Sequence, residues 1–380
     1  MAPPSALDSR DAPALDAAGG SGLWDAIAHS GADSIAVMGT AKNTGKTVTL
    51  NHLLAQAARA GMAVGVTSIG RDGESRDEVY AIPKPPVRLW PGNVVATARA
   101  TLHKADLQWE PIEDTGLSSA MGEIVLVRVR SSGTMEVAGP TRSAEQLAVI
   151  GRMRALGMDK VLLDGALGRS QHASPAVARA VVLATGAALG GSMADVLRKT
   201  RERLALLQIP PIDEERAARC AAVFEQGGIG VWSADGRALL REPGASLTAA
   251  SRLAACLARE PALVALSGAV GSAVLETLQA MARRRPGLTL VVNDGTRLFV
   301  EAADLAHFVS GGGRVAAWRK IHIAGLTLNP SAPFLPPYDA REFLRSARAA
   351  FPGLDVRDVL LAASTRVRPT EEPDRGPTAA

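Results

Sequence analysis

The feature that most constrains the fold is a strand, a glycine-bounded loop and a helix between residues 34 and 61. Residues 34–38 (SIAVM) form an apolar run that predicts a short buried strand. The loop that follows, residues 39–47 (GTAKNTGKT), matches the pattern G-x-x-x-x-G-K-[ST] in full. After the loop, apolar residues recur at helical spacing as far as Gly61; they are Leu50, Leu53, Leu54, Ala57 and Ala58. This order of elements predicts an α/β fold in which the loop forms a phosphate site.

The chemistry of such a loop comes from its backbone and from its two last side chains. N–H groups of the loop and of the helix N-terminus present partial positive charge to phosphate oxygens. Lys46 is expected to reach the outer phosphates, and the Thr47 hydroxyl is expected to be a ligand of Mg2+. Lys42 either adds charge near the phosphates or is a solvated loop residue. We expect the whole loop to contact a nucleoside triphosphate: Gly39, Thr40, Ala41, Lys42, Asn43, Thr44, Gly45, Lys46 and Thr47.

ATP is favoured over GTP, because neither of the guanine-selecting motifs Asn-Lys-x-Asp and Thr-Lys-x-Asp occurs in the sequence. Two carboxylates are candidates for work beside the phosphates. Asp164 ends an apolar strand at residues 159–166, and this position predicts that it holds Mg2+ together with Thr47. Asp72 lies in an acidic loop, residues 70–74, after a strand predicted at 63–69. It either senses the γ-phosphate and positions water or belongs to a solvated turn.

The remaining chain alternates strands and helices, which predicts a doubly wound, mostly parallel sheet of the P-loop NTPase type. We expect a disordered tail over residues 1–30, a nucleotide-binding domain over residues 31–245 and a C-terminal α/β region over residues 246–365. A loose tail is expected over residues 366–380. In the C-terminal region, the pattern predicts a strand at 263–266 and helices at 272–284 and 340–350. Whether its strands extend the first sheet or form a second domain stays open, with a separate unit favoured.

Residues 84–140 have β rather than α/β patterning, and we interpret them as a β-rich insertion in the nucleotide-binding domain. The run at 124–130, a turn at 131–134 and a return at 135–138 predict a hairpin within it. A helix is expected to begin at Ser143, which forms a capping-box pattern with Gln146.

Composition excludes several classes of protein. The 380 residues carry a formal net charge of +4 without a dense basic stripe interleaved with aromatic residues, so nucleic-acid binding is not favoured. No apolar run is long enough to span a bilayer, and the N-terminus lacks the basic start and apolar core of a signal peptide. The two cysteines, Cys220 and Cys256, form neither a disulfide framework nor a zinc pattern, which favours a cytoplasmic location.

The loop and several other blocks resemble known families. Residues 37–47 are similar to the loops of dethiobiotin synthetases and cobyrinic acid a,c-diamide synthetases. More specifically, the chain resembles the reactivase subunit that accompanies lysine 5,6-aminomutase, an adenosylcobalamin- and pyridoxal-phosphate-dependent enzyme. The blocks that carry this resemblance are residues 39–51, 67–74, 163–167 and 184–189, with a fainter one at 328–330. The loop is specific for nucleotide binding, whereas the other blocks are specific only as a set.

The resemblance implies a chaperone-like subunit that uses ATP to favour an aminomutase conformation from which damaged cobalamin is released. It implies a cobalamin-dependent aminomutase as partner and a second, mismatch-repair-like ATPase subunit. Self-association, and whether ATP is hydrolysed or only bound, stay open. The alternative is an ATP-dependent ligase or kinase of the dethiobiotin-synthetase type, in which Lys42, Arg71 or Arg169 neutralises a small substrate. That alternative leaves the β-rich segment and the C-terminal region without a role.

Overall fold

The structure is a computed structural model that describes residues 22–68, 86–166, 177–243 and 249–361. Within these ranges the strands, in chain order, are β1 (Ser34–Gly39), β2 (Gly65–Ser68), β3 (Val87–Leu89), β4 (Val94–Ala98), β5 (Trp109–Ser119), β6 (Gly122–Val129), β7 (Gly133–Met135), β8 (Val161–Ala166), β9 (Ala180–Gly186), β10 (Ile229–Trp232), β11 (Ala238–Glu242), β12 (Leu263–Leu266), β13 (Thr289–Val292), β14 (Arg314–Ala317), β15 (Ile323–Asn329) and β16 (Val356–Arg357). The α-helices are α1 (Leu23–His29), α2 (Lys46–Arg59), α3 (Ser143–Ala155), α4 (Met193–Leu207), α5 (Glu214–Gln226), α6 (Ala249–Ala254), α7 (Ser272–Arg284), α8 (Ala302–Ser310) and α9 (Ala340–Ala350).

The strand that precedes the 39–47 loop lies inside a nine-stranded sheet with the order β16-β15-β9-β1-β8-β2-β4-β6-β5. β1 pairs in parallel with both of its neighbours, β8 and β9. Parallel pairing continues through β2 and β4 on one side and through β15 and β16 on the other. β6 and β5 then add antiparallel strands at one edge. The predicted α/β class with a large, mostly parallel sheet is therefore confirmed.

Both faces of this sheet are covered, and its inner strands are correspondingly apolar. Every residue of β1, β2 and β9 is buried, as expected when helices pack on both sides of parallel strands. α2 covers one face with the fully buried Leu50, Leu53 and Leu54. Helices α3, α4 and α9 cover the other face with Met153, Val196 and Phe343. Full burial of each such side chain stabilises the fold by about 1.5–3 kcal/mol.

The segment predicted as a β-rich insertion extends the main sheet. β4 pairs with β2, and β6 and β5 follow outward from it. The predicted hairpin across residues 131–134 is wrong, because β6 pairs with β5 and β4, whereas β7 pairs with β3 in a two-stranded sheet. Burial explains the difference: residues 124–127 of β6 are buried on both faces, which an inner strand between β4 and β5 provides and a hairpin with one open face does not.

The predicted disordered tail over residues 1–30 is wrong at its C-terminal end. Residues 23–29 form α1, in which Leu23, Trp24 and Ile27 are at most 2% exposed. These three side chains pack into the core on the α2 face of the sheet. A short apolar stripe therefore makes the segment helical, although its surroundings in the sequence are rich in Ala, Gly and Ser. Residues 1–21 lie outside the described residues, as does the tail predicted over 366–380.

In the C-terminal half, some strands form a second sheet and others extend the first sheet, so both arrangements left open by the sequence occur. β10 to β14 form a five-stranded sheet with the order β11-β10-β12-β13-β14. β15 and β16 instead return to the nine-stranded sheet, where β15 pairs in parallel with β9. The boundary predicted at residue 246 does not match these sheets, because β10 and β11 precede it and because β15 and β16 lie beside β9. The second sheet is thus inserted into the first, between β9 and β15.

Burial of Cys220 on α5 gives a prediction for stability at alkaline pH. The side chain is fully buried, and desolvation of the thiolate raises the pKa of the thiol from 9.0 to about 11. Unfolding therefore releases a proton between these pH values, so the group stabilises the folded state below pH 9.0 and this contribution is lost as pH rises towards 11. We expect the unfolding free energy, measured by urea denaturation, to fall less steeply over this range in Cys220→Ala than in the wild type. Equal slopes would contradict the assignment.

Candidate functional site

The 39–47 loop leaves the carboxyl end of β1 and runs directly into α2. Gly45 is the N-cap of α2 and has a φ of +87°, a left-handed conformation that glycine adopts at little cost. Asn43 has a φ of +59°, in a region that asparagine tolerates better than most residues. The first N–H groups of a helix have no partners within it, and a glycine N-cap supplies no side chain for them. The loop therefore presents backbone donors at the point where the helix begins.

Within the loop, side chains pack closely around one carbonyl group. The Thr44 hydroxyl donates to the carbonyl oxygen of Ala41 at 3.0 Å, and Lys46 Nζ donates to the same oxygen at 3.4 Å. A β-carbon on Gly39 would lie 2.7 Å from Thr44 Oγ1 and 2.9 Å from Lys46 Cδ. Only glycine at position 39 therefore permits this winding, in which the Lys46 side chain folds back over the loop.

Hydroxyl groups connect the start of the loop to β9 and α4. The Thr40 N–H donates to the carbonyl oxygen of Ala184 at 2.9 Å, and the Thr40 hydroxyl donates to Thr185 Oγ1 at 3.1 Å. Thr185 and Thr200 share a hydrogen bond of 2.7 Å between fully buried hydroxyls. Thr200 in turn donates to the carbonyl oxygen of Val196 within α4. The first residues of the loop are thus held by a neighbouring strand and by the helix that leads towards the second sheet.

The end of the loop is held by β15, the strand that returns from the second sheet. Asn329 Nδ2 donates to the carbonyl oxygen of Asn43 at 2.9 Å. Asn329 reaches the loop across the end of β9, where a β-carbon on Gly186 would collide with the Asn329 carbonyl oxygen. One turn into α2, Thr49 shares a hydrogen bond of 2.8 Å with Thr327, and both side chains are buried. Two residues of β15 therefore fix the loop and the helix that follows it.

Asp164 lies near the carboxyl end of β8, the other neighbour of β1, and is 2% exposed. It is in register with Ser68 of β2, whereas the pairing of β8 with β1 is irregular between Leu163 and Ala166. Thr47, 6% exposed, lies in the first turn of that same helix. The predicted pair for Mg2+, Thr47 and Asp164, therefore lies at the carboxyl ends of two neighbouring parallel strands, β1 and β8.

Gln146 holds the next strand end along the sheet, and the capping box predicted for it is wrong. The N-cap of α3 is Arg142, and Ser143 is already helical. Gln146 is fully buried, and its Nε2 donates to the carbonyl oxygens of Ser68 at 2.6 Å and Pro140 at 2.7 Å. The carbonyl group at the end of β2 is buried under α3 and needs a hydrogen-bond donor, which the Gln146 amide supplies. Since Ser68 is in register with Asp164, Gln146 positions the strand end beside that carboxylate.

The structure brings most of the predicted site residues to the carboxyl ends of the inner strands of the nine-stranded sheet. The 39–47 loop and Asp164 lie there together, with Lys42 exposed on the loop. Asp72 falls outside the described residues, as do Arg71 and Arg169. Sequence reasoning did not assign Asn329, Gly186 or Gln146 to the site, although the blocks 184–189 and 328–330 include Gly186 and Asn329.

This arrangement is suited to an anion with a hard cation. Backbone donors at a helix N-terminus and the Lys46 ammonium attract negative charge, and the Thr47 hydroxyl and the Asp164 carboxylate offer oxygen ligands. Among the described residues, no group of three or more His, Cys, Asp or Glu side chains is placed to hold a metal ion.

Comparison of the chain with protein-family models, with curated proteins and with solved structures finds no significant match. In the part of the chain that the structure describes, no helix has both the length and the apolar composition needed to cross a membrane.

The close approach of Asn329 to Gly186 gives a prediction for stability. The backbone of Gly186 is extended, at a φ of 167°, so alanine is opposed there only by the collision with the Asn329 carbonyl oxygen. We expect Gly186→Ala to lower the unfolding free energy by about 1–3 kcal/mol, since β15 must move away from β9. The control is Gly151→Ala on α3, where a β-carbon meets nothing within 4 Å and the change should stabilise the helix. Equal effects of the two changes in urea denaturation would contradict this packing.

Proposed function

We propose that the chain binds ATP with Mg2+ at the 39–47 loop. The observation that carries the proposal is the loop itself, which joins the carboxyl end of an inner parallel strand to the N-terminus of α2. Its shape depends on Gly39, which admits the side chains of Thr44 and Lys46, and on the left-handed Gly45. Backbone amides in a loop that leads into a helix N-terminus can donate to phosphate oxygens.

Each remaining group has one role in this proposal. Lys46 exchanges its 3.4 Å hydrogen bond to the Ala41 carbonyl for the outer phosphates, whose charge it neutralises. Thr47 and Asp164 would hold Mg2+, which would neutralise charge on the phosphates. Asp72, on the segment after β2, senses the γ-phosphate or positions water. ATP is preferred to GTP because the sequence lacks both guanine-selecting motifs.

We further propose that ATP is used to act on another protein, a cobalamin-dependent aminomutase from which damaged cofactor must be released. The blocks of residues that resemble the lysine 5,6-aminomutase reactivase support this partner. The topology supports the class of function, because a complete five-stranded sheet is inserted between β9 and β15. Residues of both strands hold the loop, because Thr185 of β9 hydrogen-bonds to Thr40 and Asn329 of β15 hydrogen-bonds to Asn43. A self-contained ligase has no need of such an inserted unit, whereas a subunit that changes a partner's conformation must transmit the nucleotide state.

Removal of the Lys46 ammonium tests the site. We expect Lys46→Ala to raise the Kd for ATP with Mg2+ at least about 100-fold, because charge-assisted hydrogen bonds to two phosphates are lost. The matched control is Lys42→Ala, which removes an exposed lysine from the same loop and should have a much smaller effect. Isothermal titration with ATP measures both variants. Wild-type affinity in Lys46→Ala would refute the proposed site.

The proposed use of ATP is tested by reactivation. Lysine 5,6-aminomutase inactivated during turnover is mixed with this protein, ATP, Mg2+ and fresh adenosylcobalamin, with and without the second ATPase subunit. We expect mutase activity to return only when ATP is present, and not with Lys46→Ala. If neither the protein alone nor the pair restores activity while ATP still binds, the reactivase proposal fails. ADP release stimulated by a small carboxylate would then favour the ligase.

A further inference from the structure

One side chain joins the 39–47 loop to the exposed segment that follows β15. Asn329 Nδ2 donates to the carbonyl oxygen of Asn43 at 2.9 Å, and Asn329 Oδ1 accepts the N–H of Ser331 at 3.1 Å. The amide therefore uses both of its ends, one on the loop and one on the segment of residues 330–338. Gly186 allows the side chain to lie between them.

The 330–338 segment is a closed loop with its own internal hydrogen bonds. The Tyr338 N–H donates to the carbonyl oxygen of Pro330 at 3.0 Å, which ties the two ends together. Ala332 and Leu335 form an antiparallel bridge across it. Phe334, between them, has a φ of +62° and is 82% exposed. A left-handed conformation is uncommon for an aromatic residue.

Because these internal bonds join its two ends, a displacement of Ser331 would be passed on to the rest of the segment. Hydrogen bonds are directional, so Asn329 holds the Asn43 carbonyl only over a narrow range of positions. Asn43 has a left-handed φ of +59° and helps to set the curvature of the 39–47 loop, so a phosphate that drew the loop amides inward would also turn the Asn43 carbonyl group. Rotation of the Asn329 amide to follow Asn43 removes its acceptor from Ser331. The exposed apolar surface of Phe334 and Leu335 then shifts with the segment.

We propose that Asn329 is a positioning residue that couples occupancy of the 39–47 loop to the conformation of the 330–338 segment. This inference rests on the proposed ATP site and adds a contact through which nucleotide binding affects the 330–338 segment. The contact is made by Asn329, at the end of the strand that returns from the second sheet. It does not require Asn329 to touch the nucleotide.

The test compares two asparagines with the same pair of bonds. In α2, Asn51 Nδ2 donates to the carbonyl oxygen of Pro86 at 2.9 Å and its Oδ1 accepts the Arg88 N–H at 2.9 Å, so Asn51→Ala is the matched control for Asn329→Ala. Hydrogen exchange of the 39–47 and 330–338 peptides is measured by mass spectrometry with and without saturating ATP and Mg2+. A third variant, Asn329→Asp, keeps an oxygen for Ser331 and loses the donor to Asn43.

In the wild type and in Asn51→Ala, we expect ATP to protect residues 39–47 and to change exchange at 330–338. In Asn329→Ala and Asn329→Asp, protection of the loop at saturating ATP should persist while the response at 330–338 is lost. Asn329→Ala should also raise the Kd for ATP about fivefold, the equivalent of one hydrogen bond of about 1 kcal/mol.

Loop protection in the wild type without any change at 330–338 would overturn the coupling and leave the ATP site intact. A wild-type response in Asn329→Ala would overturn it equally. A wild-type chain that fails to bind ATP would overturn the proposed function, and this inference with it.

Discussion

The contact of β15 with β9 across Gly186 is the constraint on which the site depends. It brings Asn329 to the loop after β1 although the two are far apart in sequence and β9 lies between their strands. Parallel pairing of β15 with β9 sets the register, and the missing side chain of Gly186 sets the closeness. The 39–47 loop is thus held from the strand beyond its neighbour as well as by its own sequence.

The two strands in this contact, β9 and β15, are also the strands between which the second sheet is inserted. The chain leaves the main sheet after β9 through α4, forms the five-stranded sheet and returns as β15. At the departure, the Thr185–Thr200 hydrogen bond joins β9 to α4, and at the return Asn329 and Thr327 hold the loop and α2. Both connections between the sheets therefore run past the same loop.

Local patterns predicted the elements whose signals are local. The strand at 34–38, the loop and α2 follow from apolar spacing and from one motif, and α7 and α9 begin and end where the sequence predicts. The tail prediction failed at α1 because three buried side chains in a short helix outweigh a composition typical of disorder. The hairpin prediction failed because the continuous apolar run at 124–127 encodes burial on both faces but does not encode which strands are the partners of β6.

The site was predictable to the same extent. The loop is recognisable by its motif, and Asp164 by its position at the end of an apolar strand. The structure places both at the carboxyl ends of adjacent parallel strands. Gln146 was misassigned because a glutamine three residues after a serine has the same pattern whether it caps a helix or supports a buried carbonyl. Asn329 depends on a strand pairing between distant parts of the chain, and no local pattern contains that information.

The most direct test of this account is a crystal structure with a non-hydrolysable ATP analogue and Mg2+. The account predicts the triphosphate within the 39–47 loop, Lys46 on its outer phosphates, Mg2+ between Thr47 and Asp164, and a moved Asn329 amide. A nucleotide bound elsewhere, or a loop whose amides point away from the phosphates, would contradict it.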